Sequence, residues 1–208
     1  MNRFLPAAAL LATAVSFQAH ASGDYEYPYS GVSYGNLGLD DSCDQLEEDI
    51  QPALNSNYPG ARFTCDDSPS FFRIYSGARL TPHFGFEVGY RHSEKADLGV
   101  NYNDQSIDVA DASIRGLDLI ALAQFPLGSR IDLFAKAGGF FWDYEFETLV
   151  GDSNDSTGGN FMYGAGIRIG ITEEIFLRAD YDLVPDLGNS EIGENDVDMV
   201  SGSIEYHF

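Results

Sequence analysis

Eight segments of two-residue hydrophobic period, joined by connections that alternate between tight and long, constrain this chain more than anything else in it. They run at 30–37, 71–80, 84–91, 114–125, 131–142, 160–169, 175–183 and 198–208. Successive strand side chains point to opposite faces, so each segment has two faces of different character. Leu80-Thr-Pro-His83, Pro126-Leu-Gly-Ser-Arg130 and Gly170-Ile-Thr-Glu-Glu174 are tight turns with Pro or Gly in place. Long polar stretches at 38–70, 92–113, 143–159 and 184–197 lie between them, and unstructured connections of that length are uncommon inside a compact domain. Most segments approach the roughly nine to eleven residues that a tilted strand needs to cross a bilayer. The pattern predicts an all-β fold, an eight-stranded antiparallel up-and-down transmembrane β-barrel with short periplasmic turns and long extracellular loops.

The last segment closes that barrel. In Val200-Ser-Gly-Ser-Ile-Glu-Tyr-His-Phe208, Val200, Ile204, Tyr206 and Phe208 share one phase; Ser201, Ser203, Glu205 and His207 share the other. A terminal strand frays unless it is paired, and pairing with the first strand removes both sheet edges. At the other end, Asn2-Arg3, an apolar run over 4–17 and Ala19-His20-Ala21 have the order of a secretory signal. The run is too short for a spanning helix. Residues 1–21 are therefore read as a removed signal and 22–208 as one barrel domain of the Gram-negative cell outer membrane.

A formal charge of -22 excludes nucleic acid as a partner, because phosphates are repelled. No later segment suits a transmembrane helix, so a spanning structure must be a closed barrel. Cys43 and Cys65 lie in one polar stretch of an exported chain, where a disulfide is the default and two free thiols the alternative.

A soluble lipocalin-like ligand-binding barrel would show the same alternation turned inside out. The polar phase decides between them. It carries Gly77, Gly85, Gly89, Gly138, Gly164 and Gly166, which suits a crowded eight-strand interior. It also holds most of the scarce basic residues together with Glu87, Asp118, Asp180 and Glu205, and buried charges need partners. Ile120, Leu122, Phe134 and Phe140 fall on this phase too. Tyr25, Tyr27 and Tyr29, Trp142 and Tyr144, and Tyr206 and Phe208 lie near strand ends and are expected to form interfacial aromatic girdles.

Gly31-Val-Ser-Tyr-Gly35, Phe84-Gly-Phe-Glu-Val-Gly-Tyr-Arg91, Phe161-Met-Tyr-Gly-Ala-Gly-Ile-Arg168, Leu177-Arg-Ala-Asp-Tyr181 and Ile204-Glu-Tyr-His-Phe208 together resemble the OmpA-like family of eight-stranded outer-membrane barrels. The resemblance implies that Ile204, Tyr206 and Phe208 are read by the barrel-assembly machinery. It implies an interior salt-bridged plug that includes Glu87, Lys136, Arg168 and Glu205, with Arg73, Arg79, Arg178 and Asp180 as weaker members. No peptidoglycan-binding domain follows Phe208 in this sequence, so a cell-wall anchoring role is not carried over. The long, acidic first loop departs from relatives, and loop-specific partners are not carried over either.

The sequence offers little catalytic chemistry. Gly164-Ala-Gly166-Ile-Arg-Ile-Gly170 lacks the spacing and the following helix of a phosphate loop. His92-Ser93-Glu94 is a local acid–base cluster of the kind an outer-leaflet lipid A deacylase or acyltransferase would use, but consecutive strand residues face opposite ways. Asp152-Ser-Asn-Asp-Ser-Thr-Gly158 lacks the glycine and distal glutamate of a calcium loop. Asp40, Asp41, Asp44, Glu47, Glu48, Asp49, Asp66 and Asp67 make the first loop strongly acidic. Such runs are usually solvated faces, and weak divalent-cation binding at the lipopolysaccharide surface is the ligand hypothesis they carry. The expectation is a monomeric, non-enzymatic barrel among outer-membrane lipids and lipopolysaccharide, with a structural or surface-interaction role, without cofactor or metal centre. A narrow gated pore is the further variant; a general diffusion pore does not fit an interior filled by side chains.

Overall fold

Eleven paired residues, from Tyr29↔His207 to Leu39↔Val197, join the first strand antiparallel to the last. The computed structural model describes residues 27–39, 42–65, 68–102, 105–148, 153–189 and 193–208; the signal read at 1–21 lies outside them. Its elements are β1 (Tyr27–Leu39), α1 (Ser42–Asn57), β2 (Arg62–Cys65), β3 (Ser70–Arg79), β4 (Phe84–Ser93), β5 (Ala96–Tyr102), β6 (Gln105–Pro126), β7 (Ile131–Thr148), β8 (Ser153–Gly170), β9 (Ile175–Asn189) and β10 (Gly193–His207). In the closed ring each stave is hydrogen-bonded to the next in the order β6-β4-β3-β1-β10-β9-β8-β7 and back to β6. All of these pairings are antiparallel.

Two of the tight turns are built alike. In the first, Leu80 and Thr81 donate to the Phe84 carbonyl, and Thr81 Oγ1 accepts from the His83 and Phe84 amides. In the third, Ile171 and Thr172 donate to the Ile175 carbonyl, and Thr172 Oγ1 accepts from Glu174 and Ile175. A threonine hydroxyl at the same place in both turns satisfies amides that the sheet cannot. The middle turn uses Gly128 at a φ of 93°, where a Cβ would be strained.

The long stretches read as loops are mostly strand and helix. β7 and β8 stay paired up to Glu147↔Ser153, and β9 and β10 up to Asn189↔Gly193. β6 pairs with β4 over its lower half and with β5 over its upper half. Polar side chains on both faces mark solvent on both faces, not a loss of backbone pairing, so the hairpins continue beyond the apolar belt. β2 adds to the free side of β5. α1 then covers β2: Gln51 Nε2 donates to the Ala61 carbonyl at 2.8 Å, and Gln51 Oε1 accepts the Phe63 amide at 3.0 Å. One glutamine thereby occupies backbone groups beside β2. The Cys43–Cys65 disulfide ties the helix to the strand, Cα to Cα 5.8 Å.

The β8–β9 ladder stops at Tyr163↔Leu183. Pro185 has no amide to continue it, and Asp186 turns out at a φ of 50°. Asn160 takes over, donating to the Asp186 carbonyl at 2.7 Å while accepting the Trp142 indole N–H at 2.7 Å.

Val32, Tyr34, Phe72, Ile74, Phe84, Phe86, Val88, Leu117, Leu119, Leu133, Phe141, Phe161, Ile169, Leu177, Tyr181, Val200 and Ile204 are all exposed large apolar residues, and they form the outer belt. The aromatic girdle needs correction. Tyr29 and Trp142 are buried in the lumen at 1% and 3% exposure, and Tyr27 packs on His207. Their hydroxyl and indole groups find partners inside, which strand-end position alone does not reveal. Tyr25 lies outside the described residues; Tyr206 and Phe208 do face outward.

Closing a loop of 22 residues, the disulfide stabilises the α1–β2 arm by about 3 kcal/mol in the chain-entropy model. Replacing Cys43 and Cys65 with Ser is expected to make the arm protease-sensitive while leaving heat-modifiable gel mobility of the barrel unchanged. Equal protease resistance with and without the bridge would contradict this.

Candidate functional site

The inward phase of the staves brings ionic side chains together across the lumen. Arg73 reaches Glu87 at 3.1 Å and Asp118 at 2.6 Å. Arg91 reaches Asp118 and Asp182, both at 2.9 Å. Lys136 contacts Asp182 at 2.7 Å and also pairs with Asp180. Arg178 reaches Asp180 at 2.8 Å and pairs with Glu87. These contacts close on themselves: Arg178, Glu87, Arg73, Asp118, Arg91, Asp182, Lys136 and Asp180 form a ring of alternating charge.

A tail descends from the ring toward the periplasmic turns. Arg178 also touches Glu205 at 3.2 Å; Glu205 meets Arg168 at 2.7 Å; Arg168 lies 3.9 Å from Asp132; and Asp132 pairs with Arg79 at 3.1 Å. The Arg168 Nε contact to Glu205 is ionic in distance without the angle of a directed hydrogen bond. Ring and tail hold six cations and six carboxylates, so the network is neutral. It takes six of the chain's eleven basic residues. The formal charge of -22 therefore lies wholly outside the network, in 27 carboxylates and five basic residues.

Two tyrosines steady the carboxylates, and two glycines aim the tyrosines. Tyr29 donates to Glu87 at 2.9 Å and Tyr75 to Glu205 at 3.1 Å. In the β1–β3 register Tyr29 lies opposite Gly77, and Gly31 opposite Tyr75. A Cβ on Gly31 would fall 2.5 Å from the Tyr75 ring; one on Gly77 would fall 2.7 Å from the Tyr29 ring. Each tyrosine thus lies over the glycine of the neighbouring strand, with its hydroxyl directed to the lumen centre. The Arg73 guanidinium stacks on the Tyr75 ring at 4.4 Å, and the Arg178 guanidinium on the Phe134 ring at 4.4 Å.

On the extracellular side the ring is covered by Leu37, Phe71, Phe140, Trp142, Val184, Leu187, Val197 and Met199. The cavity between this layer and Arg91 is about 10 Å³, room for a single water. Above the belt, burial pushes the Tyr144 hydroxyl up from its ordinary pKa. On the periplasmic side an open mouth of about 710 Å³ is lined by Tyr27, Arg79, Asp132, Phe176 and His207 among others.

All eight residues expected from the sequence to form a plug (Glu87, Lys136, Arg168, Glu205, Arg73, Arg79, Arg178 and Asp180) are buried and lie in this one network. Arg91, Asp118, Asp132 and Asp182 complete it. Their signal was the shared inward phase; what the sequence lacks is the stagger between strands that decides which charges meet. Ile204, Tyr206 and Phe208 face outward. His92 and Ser93 diverge: His92 packs edge-on to Phe72, while buried Ser93 accepts the Ile114 amide at 2.8 Å. The Asp152–Gly158 run lies partly outside the described residues, as do Asp40, Asp41, Asp66 and Asp67. No group of three or more potential metal ligands occurs among the described residues.

Overpacking the glycine–tyrosine pairs gives a direct check. Gly31→Ala is expected to cost about 1–3 kcal/mol, and the cost should largely vanish in a Tyr75→Ala background. An unchanged penalty there would break the proposed coupling.

A family model for the outer membrane protein beta-barrel domain matches residues 7–208. Outer membrane protein A of Escherichia coli O157:H7 is 27% identical over 136 residues, covering 64% of this chain and 38% of that protein. The Klebsiella pneumoniae protein of the same name is 26% identical over 141 residues, covering 64% and 40%. The chain thus spans about two fifths of the length of these relatives. The crystal structure of Neisserial surface protein A matches with a TM-score of 0.59 at 14% identity, over 88% of this chain and 97% of that one. Ail, the attachment invasion locus protein of Yersinia pestis, matches at 0.53 and 13% identity, over 88% and 97%. At such identities the likeness is one of fold. With the family match running over nearly its whole length, the chain belongs to the outer membrane protein beta-barrel domain family and is a bacterial outer-membrane barrel similar to outer membrane protein A.

Proposed function

We propose that this protein is a non-catalytic outer-membrane scaffold that seals its own lumen and presents an acidic, disulfide-stapled arm to the surroundings of the cell. The observation that carries this reading is the filled lumen, a neutral ion-pair ring roofed by an apolar layer. Water-filled conduction needs a continuous polar path, and an eight-strand interior leaves no room beside packed side chains. With the network neutral, the whole charge excess is left to the rest of the chain. Exposed Glu47, Glu48 and Asp49 on α1 contribute to it outside the belt, where it would govern what approaches the surface. The outward row of Ile204, Tyr206 and Phe208 suits recognition of the last strand by the barrel-assembly machinery.

A lipid-modifying reading finds no support in the His92–Ser93 geometry, because a nucleophile and its base must lie within hydrogen-bond reach. His92→Ala and Ser93→Ala are expected to leave lipid A and phospholipid turnover unchanged.

Planar-bilayer recording at about pH 7.5 tests the sealed lumen, since ordinary carboxylates and guanidinium groups are all charged there. The expected result is no steady current beyond rare, brief openings. A steady pore-sized conductance would overturn the reading.

A further inference from the structure

The floor of the lumen carries a group of a different kind. His207 is 7% exposed. Its ring is stacked between Tyr27, at 4.6 Å and 28°, and Phe176, at 4.0 Å and 12°, with Tyr29 tilted at 5.5 Å. This stack stands between the periplasmic mouth and the tail of the network. Nε2 lies 2.5 Å from Glu205 Oε1, the same oxygen that Arg168 Nε meets at 2.7 Å. Among the described inward-facing ionisable residues, His207 alone is of the type whose ordinary charge change falls between about pH 5 and 8.

The staves around this floor present these charged, titratable or polar groups to it. β10 gives Glu205; β1 gives Tyr27 and Tyr29; β3 gives Arg79; β7 gives Asp132; β8 gives Arg168. β9 gives Phe176 with Arg178 above it, and the turn before it gives Glu173 and Glu174 at the mouth. From further up the lumen β4 gives Glu87, and β6 gives Gln124. With His207 neutral, the six cations and six carboxylates of the network balance. A proton on His207 leaves the lumen with one excess positive charge. It also sets two cations on one carboxylate oxygen, with Arg79 close by. Arg79 Nε and Gln124 Nε2 are buried without a hydrogen-bond partner among the described residues.

We propose that His207 is a proton-responsive latch on the periplasmic floor of the lumen. Neutral, it holds the aromatic stack shut beneath Glu205. Protonated, it competes with Arg168 for Glu205 and loosens the network from below; the apolar roof, held to the ring where Arg91 donates to Met199 Sδ at 3.3 Å and lies over the Phe71 ring at 5.7 Å, loosens with it and small ions pass, anions in preference. The latch rests on the sealed-lumen reading, and the two fail differently.

The experiment is planar-bilayer recording of the full chain and of His207→Gln and His207→Phe, each first checked for heat-modifiable gel mobility. Gln keeps a donor toward Glu205 without a titratable proton; Phe keeps the stack without either. Between about pH 7.5 and pH 5 the open probability of the natural chain is expected to rise several-fold. Its reversal potential in a salt gradient should move toward anion selectivity, and both variants should stay flat. A natural chain silent at both pH values, or variants that respond as it does, would overturn the latch alone. Pore-sized conductance at both pH values would overturn the sealed lumen together with the latch.

Discussion

Every inward charge in this barrel has to be compensated inside it, and that constraint orders the rest of the structure. A buried ion pair is not a cheap source of stability, because desolvation offsets much of the attraction. What such pairs resist is disruption: leaving one buried charge without its partner costs about 3–5 kcal/mol. Closing the pairs into a ring gives each of the eight members two neighbours of opposite sign. Loss of any one exposes a charge on both sides. The ring draws on β3, β4, β6, β7 and β9, and its tail adds β8 and β10. Tyr29 brings in β1, so all eight staves are held from within by side chains as well as by their ladders.

Neutrality inside has a consequence outside. An acidic chain that spends six of its eleven basic residues on its lumen leaves its surface overwhelmingly negative. The extracellular hairpins must remain paired despite that repulsion. Their devices are local ones: the Cys43–Cys65 bridge, Gln51 bound to backbone groups on both sides of Arg62, and Lys95 at 2.8 Å from Asp111. Asn160 performs the same service where Pro185 ends the β8–β9 ladder.

Much of this was legible before any coordinates. Period-two alternation separated Phe84, Phe86 and Val88 from Gly85, Glu87 and Gly89, and it placed Glu205 and His207 opposite Tyr206 and Phe208. It assigned the eight staves and the membership of eight charges in the interior, because facing is a property of one strand. Pairing is a property of two. That Arg73 meets Asp118 while Arg178 meets Glu87 depends on the stagger between staves, which composition does not encode. The aromatic girdle held at Tyr206 and Phe208 and failed elsewhere for a related reason: Tyr29 and Trp142 sit near strand ends but on the inward phase, and phase decides. The long polar stretches misled because exposure on both faces hides a strand that is still paired along its edges.

The central claim is that the ring acts as one electrostatic unit, and Asp118 and Lys136 test it most directly because neither touches the other. Asp118 binds Arg73 and Arg91, while Lys136 binds Asp180 and Asp182. Asp118→Asn and Lys136→Met each leave the lumen with an uncompensated charge; together they restore neutrality. Reversible unfolding in lipid, measured for both single variants and the double variant, should find the double variant more stable than the sum of the singles by more than about 1 kcal/mol. Additivity within about 0.5 kcal/mol, the behaviour of independent sites, would contradict the account.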